Sequence, residues 1–187
     1  MGLKLMKTLY LIKSDLVRYS GRNKGFIKQL LINRGFRILF LFRLGNSIKF
    51  KPLFFLYKIF YQHFQNKYSI DLPLSVKLGY GIYIGHSFAI AINKKCQIGN
   101  NVNISQCVTL GIKQTGNNMG VPIIGNNVYI GPGAKIIGSI RINDNSVVGA
   151  NAVVTKDVPE NAVVVGVPAK IISYDGSFGL VNNKFNG

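Results

Sequence analysis

The 187-residue chain has no tryptophan, only two cysteines and only six acidic side chains. Each scarcity removes a class of protein. Cys96 and Cys107 are too few for a disulfide-stapled scaffold and form no Cys/His group with metal-ligand spacing, so no metal is expected. No recognised nucleic-acid-binding motif accompanies the basic residues, and nucleic acid is not expected as a partner. The first residues lack an unbroken apolar run followed by a cleavage site, which predicts no signal peptide and makes a cytoplasmic location the default. Arg37, Arg43, Lys49, Lys51 and Lys58 interrupt every apolar stretch long enough to cross a bilayer.

The shortage of acid is uneven. Twenty-three Lys and Arg face six Asp and Glu, a net charge of +17, and within the first seventy residues Asp15 alone opposes the bases. Such asymmetry points to an anionic partner. The bases alternate with Phe26, Leu31, Phe36, Phe40, Phe42, Phe54, Phe55 and Phe60. That mixture fits two readings: interfacial helices lying on an anionic membrane surface, or the core of a small helical unit with a solvated basic face. Helices are expected from Leu5 to about Tyr19, over about 26–33 and 36–48, and from Pro52 to about Lys67, with a polar turn over 20–25. His63 falls in this basic part and reads as structural or solvent-exposed.

What the chain has in abundance is a six-residue beat. From Ile124, large aliphatics recur at Ile130, Ile136, Ile142, Val148 and Val154. Four places after each stand Val128, Ala134, Ile140, Ser146, Ala152 and Val158. An earlier run in another register has Ile92, Ile98, Ile104 and Leu110, with Cys96, Val102 and Val108 four places on. Three such hexads make one triangular coil of a parallel β-helix, with the beat residue pointing inward and stacking on its equivalent in the next coil. Asn100, Asn101, Asn126, Asn127, Asn143 and Asn145 fall at corners, where asparagine tolerates left-handed backbone or bonds its own main chain. Cys96 takes an inward repeat position and reads as a small core residue. The division expected is a helical region over 1–69, a β-helix over 70–172 and a flexible Gly/Asn-rich tail over 173–187. Within the β-helix, repeats proper start at about Leu74, and a polar loop over 112–120 separates the two registers and projects as a functional element.

Several segments carry a resemblance. Ile84-Gly85-His86, Val108-Thr109-Leu110-Gly111, Ile130-Gly131-Pro132-Gly133-Ala134-Lys135 and Val165-Gly166-Val167-Pro168-Ala169-Lys170 resemble the left-handed β-helix, hexapeptide acyltransferases, in the branch of the serine acetyltransferases and related sugar O-acetyltransferases. The resemblance implies a mainly β fold, a left-handed parallel β-helix behind a small helical region. It also implies a homotrimer binding acetyl-CoA in grooves between neighbouring solenoids. Lys156 and Lys170 would meet the donor's phosphates, with Lys135 and Arg141 as further candidates, and backbone groups at Gly111, Ala134 and Ala150 would hold the pantetheine arm. His86 matches the family's catalytic histidine. A hydroxyl attacks a thioester poorly unless a base takes its proton, and imidazole suits that task near neutral pH.

The departures shape the expected acceptor. The family's aspartate before the catalytic histidine is Gly85 here, its Asp-Arg-His-Pro loop ending is Met119-Gly120-Val121-Pro122, and its Arg-Asp-Pro-Ala is Arg18-Tyr19-Ser20-Gly21. The lost groups are those that would hold a zwitterion, and an unmatched buried charge is costly. A neutral, wider site is therefore expected, with Asp71 bonding a hydroxyl of a sugar or lipid-linked saccharide in surface-polysaccharide assembly at the inner membrane face. Two alternatives stand beside it: serine O-acetyltransferase activity in cysteine biosynthesis, and a non-catalytic trimeric scaffold.

Overall fold

The computed structural model describes residues 2–20 and 25–186; the turn expected over 20–25 falls on residues 21–24, outside the described residues. Four helices come first: α1 (Gly2–Ser20), α2 (Phe26–Ile32), α3 (Arg34–Ser47) and α4 (Lys51–Tyr68). Pro52 sits in the first turn of α4, where its missing N–H would have had no helical partner. The helix stops at Ser69, whose φ of 52° is left-handed. The buried helix is α3, with Phe36, Ile38, Leu39, Leu41 and Phe42 covered by α1, α2 and α4 on its flanks. The first apolar residues therefore divide between the two readings: α3 makes a core, while Leu31, Phe54, Phe55 and Phe60 remain exposed. Among the described residues no helix is long and apolar enough to cross a membrane.

The repeats then wind five coils. The first is β1 (Ile70–Asp71), β2 (Lys77–Leu78) and β3 (Tyr83–Ile84); the second is β4 (Ile90–Ile92), β5 (Gln97–Ile98) and β6 (Asn103–Ile104). The third is β7 (Thr109–Gly111), β8 (Ile123–Ile124) and β9 (Tyr129–Ile130), and the fourth is β10 (Lys135–Ile137), β11 (Arg141–Ile142) and β12 (Val147–Val148). The fifth has β13 (Val153–Val154) and β14 (Val163–Val165), with Val158 bridging to Ile142 between them. Finally β15 (Lys170–Ser173) turns back antiparallel to β14. Equivalent strands stack in parallel as three faces: β1-β4-β7-β10-β13, then β2-β5-β8-β11, then β3-β6-β9-β12-β14 with β15 at its end. This is a left-handed parallel β-helix with an N-terminal helical region.

Every inward position of both registers is buried, from Ile92 and Cys96 through Leu110 and from Ile124 and Val128 to Val154 and Val158. Winding starts earlier than Leu74, because β1 already pairs with β4 through Ile70–Ile90 and Asp71–Ala91. Asn101, Asn127 and Asn145 adopt left-handed φ of 53°, 55° and 57° at the corners between the second and third faces. Asn100 and Asn126 do something else there. The Tyr80 N–H donates to Asn100 Oδ1, the Asn100 N–H to Asn126 Oδ1, and the Asn126 N–H to Asp144 Oδ1, so each amide ties one coil to the next.

A solenoid's end coil has a row of unpaired backbone groups that must be capped. Here the helices cap it with side chains. Gly81 N–H donates to Ser14 Oγ (2.9 Å) and Ile82 N–H to Asp15 Oδ1 (2.8 Å). Arg43 donates to the Leu78 and Gly79 carbonyls. Tyr61 Oη donates to the Leu72 carbonyl, and Leu72 N–H donates to Gln65 Oε1. Asp15 and Arg43 also form a buried bidentate pair, at 2.9 and 3.2 Å. Burial raises the Asp15 carboxyl above its ordinary value, and Arg43 pulls it partly back.

The tail differs from expectation. Residues 173–186 climb back along the edge between the second and third faces. Ser177 Oγ donates to the Asn127 carbonyl, and Asn103 Nδ2 to the Leu180 carbonyl. Asn101 exchanges two hydrogen bonds with the Phe185 backbone, and the Phe185 ring packs edge-on against Tyr10 and Tyr80. The asparagine side chains that line this edge supply donors and acceptors to the tail's backbone, which is why a polar, Gly-rich segment still docks.

Candidate active site

His86 sits at a corner where the repeat is broken. From Ile84 to Ile92 the inward beat takes eight residues instead of six, so residues 85–89 bulge from the edge between the third and first faces. The His86 side chain is exposed, and its ring has no hydrogen-bond partner among the described residues. It opens into a cleft of about 390 Å³ lined by Ile32, Asn33, Arg34, Gly85, Ser87 and Phe88. Arg34 is exposed in the first turn of α3 and lines this cleft, beside the positive end of the helix dipole. The expectation of a neutral site is therefore corrected. Arg34 puts a basic residue beside His86, at a sequence distance no local motif could reveal.

The strand leading to His86 is held by Tyr19. Its hydroxyl donates to the Ile84 carbonyl (2.8 Å) and accepts from the Ile84 N–H (2.9 Å). β3 is the edge strand of its face, and the phenol supplies both bonds that a preceding coil would have made. Burial raises the Tyr19 phenol well above its ordinary value, so it stays neutral and keeps its proton to donate. Gly35 lets α3 approach this point: a Cβ there would lie 2.1 Å from the Ile84 carbonyl oxygen and 2.7 Å from Tyr19 Oη. At Gly85 an added Cβ meets only Tyr83 Cε1, at 3.4 Å, so the absence of the family's aspartate is not a matter of space. Tyr19→Phe should leave both Ile84 groups unpartnered and lower stability by about 1–3 kcal/mol. The same substitution should reduce kcat with little change in the KM for the acyl donor; urea denaturation and steady-state kinetics check the two effects.

The expected donor residues divide between two edges. Ala134, Ala150 and Lys170 share the His86 edge, whereas Gly111 and Lys156 lie on the next one, between the first and second faces, with the loop over 112–120. That loop is pinched at its base by two hydrogen bonds between Lys113 and Gly120. Ala150, Lys156 and Lys170 are exposed. Ala134 is buried, its N–H donates to the Gly131 carbonyl and its carbonyl accepts from the Thr109 N–H. The Gly111 carbonyl likewise accepts from Gly138. Turn and coil-to-coil bonds of the solenoid engage these backbone groups. Lys135 Nζ donates to the Cys107 carbonyl (2.5 Å), and Arg141 lies outward on the second face. Asp71 lies in a separate cleft lined by Tyr61, Gln65, Pro73 and Lys94, away from the residues around His86. Among the described residues no cluster of metal-ligating side chains occurs.

Residues 122–156 match the bacterial transferase hexapeptide (six repeats) family. A serine acetyltransferase of Bacillus pumilus is 31% identical over 165 residues, covering 87% of this chain and 74% of that protein. The chain belongs to the serine acetyltransferase family of hexapeptide transferases. Staphylococcus aureus serine acetyltransferases are 44% identical over 109 residues, covering 57% of this chain and 50% of theirs, so the chain spans about half the length of these relatives. The fold also superposes on a Brucella abortus serine acetyltransferase solved with coenzyme A, with a TM-score of 0.77 and 26% identity over 91% of this chain and 72% of that one.

These relatives overturn the expected sugar acceptor. They are named for serine acetylation, and none of the three points to polysaccharide assembly, a lipid-linked saccharide or a membrane surface. Missing charges in local motifs do not report the basic residue that α3 brings to the cleft, because Arg34 reaches it only through the fold.

Proposed function

We propose that this chain is an acetyl-CoA-dependent serine O-acetyltransferase, with His86 as general base. The observation that carries the acceptor is the Arg34 guanidinium lining the His86 cleft beside the α3 N-terminus, a setting that suits a carboxylate. In the reaction, a His86 ring nitrogen takes the proton from the serine hydroxyl as the oxygen attacks the thioester carbonyl carbon. The tetrahedral intermediate collapses, the C–S bond breaks, and the departing thiolate takes the proton from His86. The products are O-acetylserine and coenzyme A.

The division of donor residues between two edges supports a site completed by a second copy. One edge carries His86, Ala150 and Lys170; the other carries Lys156 and the loop over 112–120. The first face separates them within one protomer, and closed cyclic packing brings the first edge of one copy against the second edge of the next. A homotrimer meets this need, with Lys156 and Lys170 facing the donor's phosphates.

Rescue of a cysteine auxotroph lacking its own serine acetyltransferase tests the reading. Growth without cysteine is expected from the wild-type chain and not from His86→Ala. Absence of rescue by an expressed, folded wild-type protein would reject serine as the acceptor. Arg34→Gln should raise the KM for serine about tenfold or more, the loss expected for a hydrogen bond to a charged group, with the KM for acetyl-CoA unchanged. An unchanged KM for serine would remove Arg34 from acceptor binding.

A further inference from the structure

Arg18 is a buried cation with no hydrogen-bonded counter-ion among the described residues. It is 4% exposed, its Nη2 donates to Asn103 Oδ1, and its Nε and Nη1 have no partner among the described residues. Burial pushes the guanidinium down to about 10, which still leaves it charged at neutral pH. A buried ion hydrogen-bonded only to a neutral amide is costly by several kcal/mol, and the charge of Asp15 offsets the burial only in part.

Among the described residues no carboxylate hydrogen-bonds Arg18, although Asp15, earlier on α1, acts on it electrostatically, and Asp175 is exposed in the tail. Asp15 is engaged by Arg43 and the Ile82 N–H. Asp144, Asp157 and Glu160 bond Asn126, the Arg141 N–H and Asn145. Asp71 lines another cleft. Arg18 instead lines a cleft of about 290 Å³ together with Tyr19, Tyr83, Asn103, Leu180, Asn182 and Asn183, none of them acidic. Its outer wall is the docked tail, and the Asn182 and Asn183 amides there are further hydrogen-bond donors.

We infer that the cleft over Arg18 is a binding site for a small oxyanion, either an organic carboxylate or an inorganic sulfate or phosphate. The site is separate from the His86 cleft, with which it shares no lining residue. The inference does not depend on the acceptor proposed above. An anion held there would tie the last turn of α1 to the tail and to the second coil. Tyr19, the next residue along, holds Ile84, so occupancy also stiffens the strand that leads to His86.

The test is thermal denaturation and isothermal titration of the full chain with sodium sulfate, phosphate or acetate against sodium chloride at matched ionic strength. At least one oxyanion should raise Tm saturably, and the arm that does so separates an inorganic anion from a carboxylate. Arg18→Met should bind that anion about tenfold to a hundredfold more weakly, the loss expected for a charged hydrogen bond, while its own Tm in chloride does not fall. Asn182→Asp puts a carboxylate of the chain into the cleft, so it should raise Tm in chloride and abolish the anion response, and it tests the site even if Arg18→Met fails to fold. No saturable response in any arm would overturn the inference. So would an undiminished response in Arg18→Met, or in Asn182→Asp.

Discussion

His86→Ala is expected to lower kcat for acetyl transfer by about a hundredfold to ten-thousandfold, the range for loss of a general acid–base group. The KM for acetyl-CoA should change little. The basis is geometric: the ring projects from the eight-residue corner into an open cleft and makes no hydrogen bond that holds the fold. The variant should therefore keep the wild-type circular dichroism spectrum and Tm. The only other histidine, His63, is exposed on α4 and lines a shallow surface away from this cleft. His63→Ala should leave kcat unchanged, which makes it the control. Equal losses in the two variants would mean that neither acts as the base.

Asp15→Ala is expected to have the largest effect on stability, about 3–5 kcal/mol, because it leaves Arg43 as an unpaired buried charge. Chemical denaturation with urea measures this directly. The Ile82 N–H loses its acceptor in the same step. The double variant Asp15→Leu with Arg43→Met should recover only part of the loss. Arg43 also serves the Leu78 and Gly79 carbonyls, and those groups, with the Ile82 N–H, stay unpartnered when both ions are removed. Full recovery would mean that the pair is an isolated salt bridge and not the cap of the first coil.

The β-helix was legible because its signal is periodic and local. Each inward residue from Ile92 to Val158 announces itself by spacing alone, and each is buried. The His86 corner was legible through resemblance at Ile84-Gly85-His86, and it leaves a second trace in the stretched interval from Ile84 to Ile92. Arg34, Tyr19 and Arg18 left no such trace. Their roles come from the packing of α1 and α3 against the first coils, between residues some fifty to eighty-five positions apart, such as Tyr19 with Ile84 and Arg18 with Asn103. The docking of the tail is hidden in the sequence for a similar reason. Its composition suggests flexibility, but the partners of Ser177, Leu180 and Phe185 are the corner asparagines and their backbone. Ala134 shows what a motif alone leaves out: its N–H bonds within its own corner and its carbonyl bonds the preceding coil.

The most direct test of the central claim is mass-spectrometric detection of O-acetyl-L-serine after incubating the purified chain with L-serine and acetyl-CoA. O-acetyl-L-serine and coenzyme A are expected in equal amounts, with formation lost in His86→Ala. Hydrolysis of acetyl-CoA without acetylserine, or acetylserine formed undiminished by His86→Ala, would contradict it.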